Sequence, residues 1–80
     1  MKTVIHNGHR IEVSYTFWGT EKIFYDGKEV FNNFSVSGST HVFKVTEDGR
    51  EVEYEVAFKV DIWGSWCEVR CDGEMIYTDR

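Results

Sequence analysis

The chain is 80 residues long, which suits one domain and lies near the lower size at which a single hydrophobic core stabilises a fold. Its net charge of −5 would repel a phosphate backbone, so direct binding of nucleic acid is not expected. Because the sequence contains neither a membrane-length apolar stretch nor the apolar core of a signal peptide, we expect a cytoplasmic protein without membrane contact, with one domain over residues 1–80.

Four pairs of Asn-Gly or Asp-Gly punctuate the sequence, each between runs in which apolar and polar residues alternate. They are Asn7-Gly8, Asp26-Gly27, Asp48-Gly49 and Asp72-Gly73. A type I′ turn needs positive φ at both central residues, and Asn or Asp followed by Gly adopts this conformation at the lowest steric cost. Each pair therefore predicts a two-residue hairpin loop between antiparallel strands.

The alternation predicts eight or nine strands in chain order. They are Lys2–Ile5, Arg10–Phe17, Lys22–Tyr25, Lys28–Phe31, a short piece at Phe34–Ser37, Thr40–Thr46, Arg50–Val60, Trp66–Cys71 and Glu74–Thr78. Sheets with one apolar and one polar face need a second layer to cover the apolar face. The predicted fold is all-β, an antiparallel β-sandwich or flattened barrel of about eight strands built from hairpins.

Two of the predicted loops also fix the register of their hairpins. The Asp48-Gly49 loop places core residues of one strand opposite those of the next: Val45 with Val52, Phe43 with Tyr54 and His41 with Val56, with Val60 also facing inward. The Asp72-Gly73 loop pairs Val69 with Ile76, Arg70 with Met75 and Glu68 with Tyr77. Trp66, Arg70, Met75 and Tyr77 would then share the face opposite Cys67, Val69 and Cys71.

Several segments of the chain, in this order, carry a family resemblance. They are Asn7–Val13, Lys22–Val30 with its Tyr-Asp-Gly-Lys-Glu run, Phe34–Thr40, Tyr54–Val56 and Val69–Glu74. In order and spacing they resemble Fas apoptotic inhibitory molecule. The resemblance implies an antiparallel β-sandwich module without catalytic activity that acts through protein contacts. Members of that family pair two such modules, whereas this chain has the length for one.

The histidines and cysteines offer the main candidates for metal or nucleophile chemistry. His6 and His9 flank the first loop as cross-strand neighbours, close enough to share a metal ion, but the sequence supplies no third ligand beside them. Cys67 and Cys71 lie about 13 Å apart along one strand, too far for a disulfide or a shared zinc ion. We therefore expect no metal, no cofactor and no catalytic residue, with a solvated histidine pair and buried thiols instead.

The tryptophans give the leading prediction of function, because exposed aromatic side chains beside loops are typical of binding surfaces. The candidate surface comprises Trp18, Trp63, Trp66, Arg70, Met75 and Tyr77. The prediction is a non-enzymatic protein–protein interaction module that uses this aromatic hairpin face or an exposed strand edge. Since neither proline nor an inward-facing lysine blocks an edge, a homodimer formed by edge-strand pairing is also expected.

Two other functions remain open from the sequence. In the first, Glu51, Glu53, Glu55 and Asp61 imitate phosphates, and the chain is a small acidic inhibitor of the kind that phages and mobile elements encode. In the second, Trp63 and Trp66 are stacking platforms of a carbohydrate-binding module. A faint echo between Phe17-Trp18-Gly19-Thr20 and Ile62-Trp63-Gly64-Ser65 is interpreted as recurring turn chemistry.

Overall fold

A computed structural model describes residues 2–15, 20–34 and 39–80, and every regular element in these ranges is a β-strand. The strands are β1 (Lys2–His6), β2 (His9–Tyr15), β3 (Thr20–Tyr25), β4 (Lys28–Phe34), β5 (Ser39–Glu47), β6 (Arg50–Asp61), β7 (Gly64–Cys71) and β8 (Glu74–Thr78). The described residues contain no helix long and apolar enough to cross a bilayer. The all-β class and the eight strands agree with the sequence prediction.

The strands form two four-stranded antiparallel sheets in which chain order is also spatial order. The first sheet is β1-β2-β3-β4 and the second is β5-β6-β7-β8. They belong to two compact units, Met1–Ser37 and Gly38–Arg80. Phe34, the first residue of the predicted short strand Phe34–Ser37, is the last residue of β4. Residues 35–37 of that predicted strand lie outside the described ranges.

The four predicted hairpin loops are confirmed by their backbone angles. The Asn or Asp of each pair has φ between 49° and 53°, and the Gly that follows has φ between 76° and 85°. Both central residues are thus left-handed, as a type I′ turn requires. The twist of this turn matches that of the flanking strands, so each pair closes its hairpin without a longer loop.

The second sheet has the register that the Asp48-Gly49 loop predicts, with Val45 opposite Val52, Phe43 opposite Tyr54 and His41 opposite Val56. The residues of β6 that face inward and are buried are Val52, Tyr54, Val56 and Phe58. Val60 has the same orientation, but its predicted place in the core is wrong, because its side chain is 51% exposed. The whole segment 59–65 is exposed, so the end of the β6–β7 hairpin extends beyond the buried part of the sheet.

The first sheet buries a smaller set of apolar side chains among its described residues. Ile11, Val13 and Ile23 are fully buried on the paired strands β2 and β3, and Val4 of β1 is 6% exposed. Ile11 and Val13 follow the period of two that places alternate residues on one face of a strand. This alternation explains why β2 was predictable as a strand with one apolar face.

Each sheet contains a β-bulge at an equivalent place in its last hairpin. In the first sheet Phe24 pairs with Glu29 and Ile23 pairs with Phe31, so Val30 is the extra residue. Val30 is the third residue after the glycine of its turn. Such a bulge reverses the side on which the following residues face, because the side-chain period of a strand is two.

In the second sheet the corresponding extra residue is Ile76, because Arg70 pairs with Met75 and Val69 pairs with Tyr77. Ile76 is also the third residue after its turn glycine. The predicted pairing of Arg70 with Met75 is confirmed, and that of Val69 with Ile76 is wrong. Tyr77 consequently shares a face with Val69. The two sheets therefore have more in common than turn chemistry, since both the loop and the bulge recur.

Candidate protein-binding site at the β6–β7 hairpin

The loop between β6 and β7 is a two-residue turn, Ile62–Trp63, closed by the pair Asp61 and Gly64. The backbone amide of Trp63 donates a hydrogen bond to Oδ1 of Asp61 at 2.8 Å. Gly64 has φ of 138°, a conformation that side chains rarely permit. Neither Ile62 nor Trp63 has positive φ, unlike the first residue of the four Asn-Gly or Asp-Gly turns. Asp61 and Gly64 thus provide the turn chemistry, and nothing in the turn requires two large apolar residues at its tip.

The tip of this hairpin is an exposed apolar surface. Ile62 is 89% exposed and Trp63 is 85% exposed, and Val60 beside them is 51% exposed. Single exposed apolar residues are ordinary, whereas contiguous exposed apolar patches are typical of interaction surfaces. Tryptophan is also the residue most enriched among those that dominate binding energy. We call Val60, Ile62 and Trp63 the apolar tip.

Arg80 holds the base of the hairpin. Its guanidinium donates to Oδ2 of Asp61 at 3.0 Å, and its Cζ lies 4.0 Å from the ring centroid of Trp66. The indole Nε1 of Trp66 donates to Oε2 of Glu68 at 3.1 Å. Trp66 is therefore a half-buried ring that is held through its N–H group and through one face, which lies against the Arg80 guanidinium.

Asp79 explains why Arg80 reaches this position. The backbone amide of Cys67 donates to Oδ1 of Asp79 at 2.7 Å, and the amide of Asp79 donates to the carbonyl of Cys67 at 3.3 Å. These contacts continue the β7–β8 ladder beyond the end of β8 and set Arg80 beside Trp66. The residues Asp61, Trp63, Gly64, Ser65, Trp66 and Arg80 line an open depression of about 220 Å³.

The outer face of β7 brings together part of the predicted aromatic surface. Trp66 and Arg70 lie on the same face of β7. Met75 lies opposite Arg70 and is 41% exposed. Arg70 lies between two carboxylates, 3.2 Å from Glu68 and 3.6 Å from Glu55. The hydrogen bond from the Trp66 indole, with Arg70 and Lys59 nearby, lowers the pKa of Glu68.

Two members of the predicted surface are not part of this face. Tyr77 lies on the opposite side of the sheet because of the bulge, and Glu68 pairs with Thr78 instead of Tyr77. Burial, with Asp79 and Cys67 nearby, raises the pKa of the Tyr77 phenol, as expected of a half-buried ring on the core side. Trp18 lies outside the described residues.

The acidic surface predicted on β6 is largely neutralised by neighbouring cations. Three of its carboxylates have a cationic nitrogen within 4 Å. The pairs are Glu51 with Lys44 at 3.8 Å, Glu55 with Arg70 at 3.6 Å and Asp61 with Arg80 at 3.0 Å. Glu53 is exposed on the same side of β6. The strand thus presents alternating charges, which differ from the uniform negative charge of a phosphate backbone.

The two histidines are cross-strand neighbours, as predicted, and His9 also has structural partners. His6 and His9 are directly opposite across β1 and β2. Nδ1 of His9 lies 2.7 Å from Oδ2 of Asp26, and its ring stacks on Tyr25 with centroids 5.4 Å apart. Within the described residues no three His, Cys, Asp or Glu side chains are grouped to hold a metal ion. His9 therefore contributes a hairpin-to-hairpin contact.

Cys67 and Cys71 are buried and form no disulfide with each other, as predicted. Burial, reinforced by the negative charge of Asp72, raises the pKa of the Cys71 thiol. A nucleophilic cysteine needs the opposite shift, because the thiolate is the reactive form. Cys71 acts as a small apolar core residue opposite Tyr54.

The sequence pattern pointed to Trp63 but not to Ile62, Val60 or Arg80. A signal for Ile62 was present: the Ile-Trp pair is bracketed by Asp61 and Gly64, which are turn residues. No local signal could have placed Arg80 against Trp66, since that contact depends on Asp79 continuing the ladder.

Comparisons with protein-family models, curated proteins and solved structures found no match. The likeness to Fas apoptotic inhibitory molecule therefore rests on the sequence segments named above and stays a prediction. Among the described residues, the apolar tip combines the two most exposed large hydrophobic side chains, Ile62 and Trp63.

Proposed function

We propose that this chain is a non-enzymatic protein-binding module that inserts the Ile62–Trp63 turn into an apolar pocket of a partner protein. The observation that supports this function is the exposure of both side chains, 89% and 85%, on a turn whose conformation other residues determine. Side chains that serve neither the core nor the turn are explained by contact with another molecule.

Burial of the two turn side chains would supply part of the free energy that specific binding needs. Burying a large apolar side chain contributes about 1.5–3 kcal/mol, so Ile62 and Trp63 together offer roughly 3–6 kcal/mol before the cost of association. Val60 and the rim around Trp66 extend the contact area. The value is typical of a small cluster of dominant residues at a protein interface.

The turn is also held in place before it binds. Asp61 bonds the Trp63 amide through one oxygen and Arg80 through the other, at 2.8 Å and 3.0 Å. A fixed turn loses less conformational entropy on binding than a mobile loop. The Asp61–Arg80 pair is thus expected to favour binding without contacting the partner.

Contacts of the described residues disfavour the two other functions, the acidic inhibitor and the carbohydrate-binding module. Cations face three of the four carboxylates proposed to imitate phosphates. One face of the Trp66 ring lies against Arg80, which leaves less of the ring for stacking on a carbohydrate. By contrast, the side chains of Ile62 and Trp63 are 89% and 85% exposed, so they are accessible to a partner.

The test compares the wild-type protein with Trp63→Ser and Ile62→Ser, using Ile5→Ser as the matched control. Ile5 is 66% exposed on β1, so its replacement removes similar apolar surface away from the tip. Proteins captured from lysate by wild type and Ile5→Ser but lost with Trp63→Ser are purified. Trp63→Ser should weaken the Kd of such a partner by roughly 30-fold or more, the effect of a dominant interface residue. Equal affinity of all variants for every captured protein would refute the proposal.

A further inference from the structure

The outer strands of the two described sheets, β1, β4, β5 and β8, differ in the features that protect an outer edge against pairing. Proteins protect edges with short strands and β-bulges. β1 and β8 have five residues each, and the pairings of β4 and β8 contain the two bulges. β5 has nine residues, and its register with β6 runs through nine successive pairs without a shift. β5 is therefore the long, regular outer strand among those described.

The side chains of β5 are less covered than those of its neighbour. His41, Phe43 and Val45 face inward but are half-buried, whereas Val56, Tyr54 and Val52 opposite them are buried. On the outer side, Val42 is 53% exposed. A further strand beside β5 would cover both sets, because side chains of adjacent paired strands pack against each other.

We propose that β5 pairs antiparallel with β5 of a second copy of this chain, about a two-fold axis at Phe43. Phe43 is the central residue of Ser39–Glu47, so this register pairs all nine residues. It also keeps inner residues opposite inner ones. The resulting pairs are Phe43 with Phe43, Val42 with Lys44, His41 with Val45, Thr40 with Thr46 and Ser39 with Glu47.

The charges of β5 favour this register over its neighbours. Two-residue shifts are the smallest that keep the inner face inward. Centring the axis on Lys44 would place two lysines directly opposite each other, which is unfavourable. Centring it on Val42 would leave residues 46 and 47 unpaired. The Phe43-centred register opposes no like charges, and it joins the second sheets of two copies into one eight-stranded sheet.

Dimerisation through β5 does not depend on the proposed function of the apolar tip, but it adds to that function. A dimer carries two copies of the apolar tip. Two tips that engage a multivalent partner together bind more tightly than either tip alone. A monomer with a functional tip and a dimer with a non-functional tip are both measurable, so the two proposals fail separately.

Sedimentation velocity between about 1 μM and 1 mM protein tests the dimer. Val42→Lys should weaken dimerisation roughly 2- to 30-fold, because it opposes Lys44 of the second copy at two symmetric positions. Val42→Glu should keep or strengthen the dimer, because it places a carboxylate opposite the same lysine. Ile5→Lys, the same change at an exposed residue of β1, should have no effect. Circular dichroism establishes that each variant is folded.

Cross-linking gives a second measurement of the register. A Thr40→Cys/Thr46→Cys variant should form a covalent dimer on mild oxidation, since each new thiol lies opposite the other across the axis. Within one chain these positions are about 20 Å apart along the strand, so they cannot bridge internally. Thr40→Cys alone should remain uncross-linked. A protein that is monomeric throughout, a dimer lost in Ile5→Lys or Trp63→Ser, equal effects of Lys and Glu at position 42, or no cross-link in the double variant would overturn the proposal.

Discussion

In both sheets, the turn aspartate of the second hairpin makes the same two hydrogen bonds to a strand of the first hairpin. In the first sheet the Asp26 amide donates to the carbonyl of Arg10 at 2.8 Å, and its Oδ1 accepts from the Arg10 amide at 2.8 Å. In the second sheet Asp72 makes both contacts with Glu53, at 2.8 and 2.9 Å. The turn aspartate thus serves twice, since it shapes its own hairpin and extends the ladder to the strand beside it.

The remaining carboxylate oxygen shows where the sheets differ. Oδ2 of Asp26 meets His9 at 2.7 Å, whereas Oδ2 of Asp72 meets Arg50 at 3.4 Å. A guanidinium keeps its charge at every pH at which the protein folds, but an imidazole does not. The same turn aspartate therefore faces a titratable partner in the first sheet and a permanently charged partner in the second.

In the sequence, the connection between the two middle strands of each sheet contains a tryptophan, Trp18 in the first sheet and Trp63 in the second. The second sheet has the Ile62–Trp63 turn there, and the first has Phe17-Trp18-Gly19-Thr20, of which residues 17–19 lie outside the described ranges. The Asn-Gly and Asp-Gly turns and the bulges are common to both sheets, so they belong to the fold. The apolar tip is not explained by the fold.

The largest effect is expected from Ile23→Ala, which tests the core of the first sheet against its counterpart. Ile23 is fully buried, and it has the same place before the bulge as Val69 in the second sheet. Ile23→Ala should lower the free energy of unfolding by about 2–5 kcal/mol through lost burial and a residual cavity. Val69→Ala should cost less, because it removes one methylene fewer. Urea unfolding followed by tryptophan fluorescence measures both, and an equal cost for the two changes would contradict the matched packing.

Tyr54→Phe should have the next largest effect, and it concerns the second sheet. The Tyr54 hydroxyl, fully buried, donates to Oε2 of Glu47 at 2.6 Å, and Glu47 is 4% exposed. Removing the donor while the carboxylate stays buried should cost about 1–3 kcal/mol of unfolding free energy. Tyr77→Phe, at a half-buried ring, is the control and should cost less. If the two variants unfold at the same urea concentration, the buried hydrogen bond has no special weight.

Gly64→Ala examines which residues make the β6–β7 turn. A side chain at φ of 138° is strained even though nothing lies within 4 Å of the added Cβ. The expected loss of unfolding free energy is about 1–3 kcal/mol, measured by urea titration. Ser65→Ala, at the exposed neighbouring residue, is the control. Wild-type stability of Gly64→Ala would mean that the turn does not depend on its glycine.

Much of this fold could be predicted because its determinants are local. The turn pairs Asn7-Gly8 and Asp72-Gly73 specify their own backbone angles, and alternation along β6 specifies its faces. The bulge at Ile76 could not be predicted, because Met75, Ile76 and Tyr77 form an apolar run in which either register places an apolar residue inward. Part of the candidate site, Arg80 against Trp66, was equally hidden, since the contact is set by backbone bonds to a distant strand.

Acid titration tests the contribution of the Asp26 carboxylate to stability. The Arg10 backbone hydrogen bond and the His9 contact lower the pKa of Asp26 from its usual value of 3.8. A lowered pKa in the folded state means that the ionised group stabilises the fold above pH 3.8, and that this stabilisation is lost as the pH falls through the folded-state pKa. Asp26→Asn should therefore lower the Tm at pH 6, and the difference from wild type should shrink below pH 3.8. Thermal unfolding from pH 6 to pH 2 gives the comparison, and a difference that stays constant with pH would contradict it.

Trp63→Ser should have the smallest effect on stability, and this small effect is informative. Trp63 is 85% exposed, and its hydrogen bond to Asp61 comes from the backbone amide, which serine retains. Exposed substitutions of this kind change the free energy of unfolding by about 0.5 kcal/mol or less. Gly64→Ala, one residue away, should cost more although it removes no apolar surface. If urea titration instead finds Trp63→Ser to be the more damaging change, the indole stabilises the fold, and its exposure no longer argues for a partner.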